Sequence, residues 1–170
     1  MSNQQSNWFR ILIAVLLILA QIILNNLFFL GPYVYISFIP LILMLLPIKQ
    51  NDSVSLLLAF IIGLLIDLST LDTLGLNAGA AVLACLFRKP FLRLCFNISD
   101  KTHTPTIGEA GIVSHLEFLF LLSLLYFCFY TAFDGFILHG FLPFLLRVAV
   151  SSVASVLLSL ILDLTILNYK

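Results

Sequence analysis

The stretch that decides the fold is GLLIDLSTLDTLGLNAG, residues 63–79. Its first half is apolar apart from Asp67, and its second half opens at Gly75 and returns to small and apolar residues. A carboxylate at membrane depth is costly and usually faces the interior of a helical bundle. The stretch therefore predicts a hairpin of two membrane helices, with Asp67 on an inward face near the turn.

The composition of the whole chain supports a membrane location. The 170 residues are 62% hydrophobic and 9% charged, and the mean hydropathy is +1.16. Soluble domains average about 25% charged residues, so we predict an all-α integral membrane protein with the lipid bilayer as its surroundings. The net charge is zero and no basic tract is present, so no nucleic-acid partner is expected.

Hydrophobic runs divide the chain into six predicted spans of one membrane domain, residues 1–170. A span needs about 20 apolar residues. The second run is short and carries Pro40 and Pro47, so a bundle of five spans is the alternative to six. Pro90 is expected either to kink the fourth span or to turn its remainder into an interfacial segment. The predicted spans are residues 9–30, 33–48, 54–70, 76–96, 112–133 and 141–167.

Basic residues predict the orientation, because cytoplasmic loops carry an excess of Lys and Arg. The outer connections at residues 31–32, 71–75 and 134–140 contain neither. Both termini are therefore predicted to be cytoplasmic, with one basic residue, Arg147, inside a span. Seven basic residues then fall on the inner side: Arg10, Lys49, Arg88, Lys89, Arg93, Lys101 and Lys170.

Polar and small residues mark the inward faces of three spans. In the third span, Gly63 and Asp67 share one face at helical spacing. In the fourth, Gly75 and Gly79 form a small-xxx-small pair, which allows two helix backbones to approach closely. The sixth span carries a row at i+4 spacing, whose hydroxyls can bond across helices: Arg147, Ser151, Ser155, Ser159 and Asp163.

Two hypotheses describe the charged residues of these faces. Asp67 and Arg147 both fall in the outer quarter of the bilayer, so we expect them either to pair or to reach separately to the outer headgroups. At the inner side, Glu117 and Asp163 lie within reach of the basic cluster around Arg88. These inner charges either pair there or sit at the level of the headgroups.

No pattern in the chain predicts catalysis. The three histidines, His103, His115 and His139, fall on different sides of the membrane in this topology, so they cannot converge on a metal. Metalloprotease, phosphate-loop and serine-hydrolase motifs are absent from the sequence. Catalytic residues, cofactors and metals are therefore not expected, and the protein is not expected to be an enzyme.

The opening stretch resembles a segment of the rod shape-determining MreD family. Residues 63–69, GLLIDLS, followed by Gly75-Leu76-Asn77-Ala78, are similar to the family pattern G-L-x-x-D-x-x-S…G-x-x-A, with Ser69 one position earlier than the serine of the pattern. The stretch LFRKPFL, residues 86–92, resembles the R-P segment after the fourth span, here Arg88 with Pro90. The last span, with Arg147 and Ser151, is also similar.

The resemblance implies a non-enzymatic membrane component of the bacterial cell-elongation machinery. It implies interaction with MreC and other elongation-complex membrane proteins in the cytoplasmic membrane. It also implies a fold like that of the membrane substrate-binding subunits of energy-coupling-factor transporters, so a vitamin-binding transporter subunit is the alternative function. The first span lacks the A-x-x-x-A docking pattern of those subunits, since Ala14 and Ala20 do not fit it, and a small-molecule ligand is not expected.

Overall fold

The computed structural model describes residues 3–27, 33–46, 51–70, 73–96, 111–135, 140–162 and 165, with the side chains of residues 3–10 excepted. These residues form six α-helices and no strand. They are α1 (Asn3–Leu27), α2 (Ile39–Leu45), α3 (Asp52–Thr70), α4 (Leu76–Phe96), α5 (Ile112–Phe133) and α6 (Phe141–Leu162). The predicted all-helical class is confirmed.

Three of these helices, α3, α5 and α6, are long and apolar enough to cross a membrane, and α1 contains a shorter apolar part, Ile11–Leu27. Their outer faces carry exposed leucine, isoleucine, valine and phenylalanine, whereas serine, asparagine, aspartate and arginine side chains are buried inside. Large exposed apolar patches and buried charged side chains are both unusual in water-soluble proteins. The apolar exterior is therefore suited to contact with lipid.

The helices pack in sequence order around a short central element. α3 packs against α4, α4 against α5, and α5 against α6, while α2 contacts α1, α3, α4 and α5. All seven residues of α2 are buried. The core is therefore built around α2, which itself has little or no surface.

The second predicted span, residues 33–48, is not a continuous helix. Residues 34–37 have no regular secondary structure, between a turn at Tyr33 and a bend at Phe38, and helix begins only at Ile39. Pro40 lies in the first turn of α2; it has no N–H, and its ring would clash with the carbonyl four residues earlier, so the helix cannot extend further back. At the other end Leu46 is extended, as is usual for a residue before proline.

Pro90 does not divide the fourth predicted span. α4 is assigned as one helix through Pro90 to Phe96, so residues 91–96 do not form a separate interfacial segment. The remaining observed helices differ from the predicted spans mainly at their ends. Residues 97–110, between α4 and α5, lie outside the described residues.

Candidate functional site

Asp67 joins α3 to the beginning of α4. The side chain is fully buried, and its two oxygens accept four hydrogen bonds. The backbone N–H groups of Gly75, Asn77 and Ala78 donate at 3.0, 3.0 and 3.1 Å, and the Asn77 side-chain amide donates at 2.8 Å. The first N–H groups of a helix have no partner within the helix and carry partial positive charge, so a buried carboxylate is stabilised at this position.

Gly63 lets the two helices come close enough for this arrangement. A Cβ at Gly63 would lie 2.5 Å from Ala78 Cα and 2.6 Å from Ala78 N, which is far inside van der Waals contact. One turn separates Gly63 from Asp67, so the close backbone approach and the hydrogen bonds act on the same stretch of α4. We call Gly63, Asp67, Gly75, Asn77 and Ala78 the α3–α4 clamp.

Gly75 and Gly79 of the fourth predicted span do not form the shared packing face that the sequence predicted. Gly75 lies in the turn before α4 with a φ of 94°, a conformation that favours glycine, and an added Cβ there would meet nothing within 4 Å. Gly79 faces the Phe133 side chain, whose nearest atom would lie 3.6 Å from an added Cβ. The tight contact between α3 and α4 is made by Gly63 and Ala78 instead.

A chain of side-chain hydrogen bonds continues from the clamp across the bundle. The Tyr126 and Tyr35 hydroxyls both donate to Asn77 Oδ1, at 2.5 and 3.3 Å. Asn25 donates to the Tyr35 hydroxyl at 2.9 Å, and Gln21 donates to Asn25 at 2.7 Å. This network connects α3, α4, α5 and α1 through one asparagine.

Tyr35 is also part of an aromatic cluster beside the network. Its ring stacks on Tyr130 at 4.5 Å between centroids, and Tyr130 stacks on Tyr126 at 6.0 Å. Stacked aromatic pairs add about 0.5–1.5 kcal/mol beyond the burial of their area. The cluster therefore keeps both hydroxyls in position to reach Asn77.

Serines of α6 accept hydrogen bonds from the non-helical backbone before α2. The Tyr35 N–H donates to Ser151 Oγ at 3.0 Å, and the Ser37 N–H donates to Ser155 Oγ at 2.9 Å. Four residues of helix rise about 6 Å, and two residues of extended chain rise about 6.6 Å. Serines at i+4 spacing therefore match alternate N–H groups of an extended segment.

Gln21 of α1 completes this support from the other side. Its side-chain oxygen accepts from the Phe38 N–H at 2.7 Å, and its amide donates to the Ile36 carbonyl at 3.0 Å. Non-helical backbone at membrane depth is tolerated where protein groups satisfy its hydrogen bonds. Three side chains on two helices satisfy four backbone groups of residues 35–38 in this way.

The binding partners of Arg147 and Arg88 differ from those that the sequence predicted. Arg147 forms an ion pair with Asp134 at 2.5 Å and lies 5.8 Å from the Tyr130 ring centroid. Pairing of Asp67 with Arg147, one of the two alternatives, does not occur, because the Asp67 oxygens accept hydrogen bonds from the start of α4. Arg88 is 2% exposed and donates to the carbonyls of Met44 and Leu46 at the end of α2, where a cation is favourable.

Other predicted residues take simpler positions. Ser159 is buried in α6, and Pro90 is exposed within α4. Glu117 is exposed. Asp163, His103, His139 and Lys101 lie outside the described residues. In the described part of the chain no cluster of histidine, cysteine, aspartate and glutamate could hold a metal ion.

Sequence reasoning missed the tyrosines of the network and the Asp134 partner of Arg147. A helical span over residues 33–48 gives Tyr35 no reason to lie beside Ser151. The available signal was the alternation of aromatic and β-branched residues in Tyr33-Val34-Tyr35-Ile36, shortly before a proline. That alternation is typical of extended backbone.

Fold and site together define a helical membrane protein with an inward-facing polar network. Comparison of the chain with protein-family models, with curated proteins and with solved structures found no match.

Proposed function

We propose that this protein is a non-enzymatic membrane component of the bacterial cell-elongation machinery, where it supports peptidoglycan synthesis and rod shape. The observation that carries the proposal is the α3–α4 clamp. Four residues that match the pattern of the MreD family segment, Gly63, Asp67, Gly75 and Ala78, form one contact unit. A motif whose two glycines, carboxylate and alanine join two helices fits a scaffold better than a catalyst.

The proposed partners are MreC and other membrane proteins of the elongation complex, and the proposed location is the bacterial cytoplasmic membrane. The N- and C-termini are proposed to be cytoplasmic, in a bundle of six spans like that of energy-coupling-factor substrate-binding subunits. The distribution of Lys and Arg supports this orientation. The exposed apolar faces of the long helices offer surface for the span of a partner.

Gene neighbourhood and depletion test the proposal. The gene is expected to lie beside those for MreC, MreB and a transpeptidase, and depletion is expected to convert rods into round cells. Wild-type protein should restore the rods and should copurify with MreC. Rod shape that persists after complete depletion would contradict the proposed role.

A transporter subunit that binds a small molecule is the second candidate. The interrupted segment favours it, because discontinuous membrane segments commonly form substrate sites in transporters. In this protein, however, several backbone groups of the segment already bond to Gln21, Ser151 and Ser155. Mass spectrometry of purified protein distinguishes the two functions, since a stoichiometric vitamin-like ligand would replace the scaffold proposal.

A further inference from the structure

A cleft lies between the beginning of α3 and the second half of α4, away from the polar network. It has a volume of about 270 Å³, close to the lower limit of about 300 Å³ for small-molecule pockets. The polar part of its lining comes from Asp52 and Ser55 of α3 and from Arg88, Lys89 and Arg93 of α4. The space suits a headgroup rather than a whole lipid.

The cleft carries an excess of positive charge. Of the described residues that line it, three are cations and one is a carboxylate. Lys89 forms an ion pair with Asp52, and both side chains remain partly exposed at 37% and 68%. Arg88 is almost completely buried beside the cleft, where low dielectric strengthens its field. An anion is therefore attracted to this position.

The position along the helices corresponds to a membrane surface. Twelve residues separate Ser55 from Asp67 in α3, and twelve separate Asn77 from Lys89 in α4, so each helix places the cleft about 18 Å from the clamp. Arg93 lies one turn further. The hydrocarbon core is about 30 Å thick, so a clamp near one surface puts the cleft near the other.

Apolar surface beside the cleft indicates the source of the anion. Leu86 lines the cleft and is 55% exposed, and Phe87 and Leu94 on the same helix are exposed as well. A soluble phosphate would gain nothing from these side chains. A phospholipid could place its phosphate at the cations and an acyl chain along Leu86.

We propose that this cleft binds the phosphate-bearing headgroup of an anionic membrane lipid, with Lys89 and Arg93 contacting the phosphate. Lys89 also forms an ion pair with Asp52, and this carboxylate competes with the phosphate. Arg88, which is buried beside the cleft, adds positive charge, and its side chain donates hydrogen bonds to the end of α2. The site is independent of the proposed role in cell elongation.

Native mass spectrometry of the full chain in detergent tests the site. Phosphatidylglycerol and phosphatidylcholine with the same acyl chains are titrated separately, and phosphatidylglycerol is expected to bind more tightly at one site. Basic residues near an anionic lipid surface each contribute about a fivefold effect. Arg93→Gln should therefore weaken phosphatidylglycerol binding about fivefold, and Lys89→Gln with Arg93→Gln about 25-fold.

Matched variants separate this site from general charge. Arg10→Gln removes the same charge from α1 and should leave the affinity unchanged, whereas Asp52→Asn removes the competing carboxylate and should not weaken it. Arg88 is not substituted in these variants, because its side chain also binds the end of α2. If the double variant fails to fold, the exposed Arg93 alone decides the result.

Three results would overturn the proposal. They are equal affinity for the two lipids, unchanged affinity in Arg93→Gln, and displacement of the lipid by millimolar inorganic phosphate or glycerol phosphate. The last result would assign the cleft to a soluble phosphate compound.

Discussion

Asp67 shows how a membrane protein can accommodate a buried carboxylate without a cationic side chain as partner. Three backbone N–H groups and one amide surround it, so the start of α4 supplies the positive end of the interaction. Removal of this acceptor would leave buried donors unsatisfied. Such groups cost about 1–3 kcal/mol each.

Asp67→Asn is the first prediction at the residue scale. The amide retains one acceptor oxygen but places an NH₂ group against donors, so we expect the free energy of unfolding to fall by about 2–3 kcal/mol. Thermal or denaturant unfolding in detergent measures the change. Ser69→Ala is the control, since the Ser69 hydroxyl donates to Leu65 of its own helix; equal effects of both substitutions would contradict the clamp.

Gly63 and Gly79 provide a second comparison at this scale. Gly63→Ala should destabilise the protein by about 1–3 kcal/mol, because the methyl group meets the α4 backbone and overpacking costs about this much. Gly79→Ala should be tolerated, since its nearest neighbour would be Phe133 at an ordinary 3.6 Å. The two melting temperatures, measured side by side, check the difference; a Gly63→Ala protein as stable as the wild type would show that the helices lie further apart.

At the scale of single elements, the segment before α2 shows how non-helical backbone is held inside the bundle. Together with α2 and Leu46, this segment runs parallel to α4 and α6. Tyr35 at its start bonds to Asn77 and Ser151, and Leu46 at its end bonds to Arg88. Eleven residues of α4 separate these two anchors, a distance of about 16 Å. Its backbone therefore passes through the bundle and depends on side chains of other helices for its hydrogen bonds.

The serine contacts predict a local loosening of this element. Ser151→Ala and Ser155→Ala should each expose one backbone N–H, at Tyr35 and at Ser37, and lower stability by about 1–3 kcal/mol. Hydrogen exchange should accelerate at those two amides before it does elsewhere. Ser152→Ala is the matched control, because Ser152 bonds to Ala149 within α6; unchanged exchange at residues 35 and 37 would contradict the serine contacts.

At the scale of the whole molecule, the sequence was sufficient for the helical class and for the inward faces of the third and sixth predicted spans. Burial of Asp67, Ser151, Ser155 and Ser159 follows from the cost of polar groups in lipid. The hydrogen-bond and ion-pair partners of these residues could not be predicted from the sequence. Two residues at similar depth meet only if both helices are rotated about their axes so that the side chains face each other. Arg147 and Asp67 share a predicted depth, yet their observed bonds go to Asp134 and to α4.

The orientation across the membrane gives a prediction for the complete chain. In a variant whose native cysteines, Cys85, Cys95 and Cys128, are replaced by alanine, His103→Cys should react with an impermeant thiol reagent only after the cells are opened. His139→Cys should react in intact cells, because its connection is predicted outside. The reverse pattern would invert the proposed topology.

The separation in sequence of the hydrogen-bond partners has a consequence for biosynthesis. Asp67 and its hydrogen-bond donors lie within 11 residues of one another, so the clamp can close as soon as α3 and the start of α4 have left the ribosome. The N–H groups of Tyr35 and Ser37 form their hydrogen bonds only when Ser151 and Ser155 are present, which lie 116 and 118 residues further along the chain. The segment before α2 therefore remains incompletely bonded until the last helix is inserted, and a chain that stops before α6 is a natural target for membrane quality control.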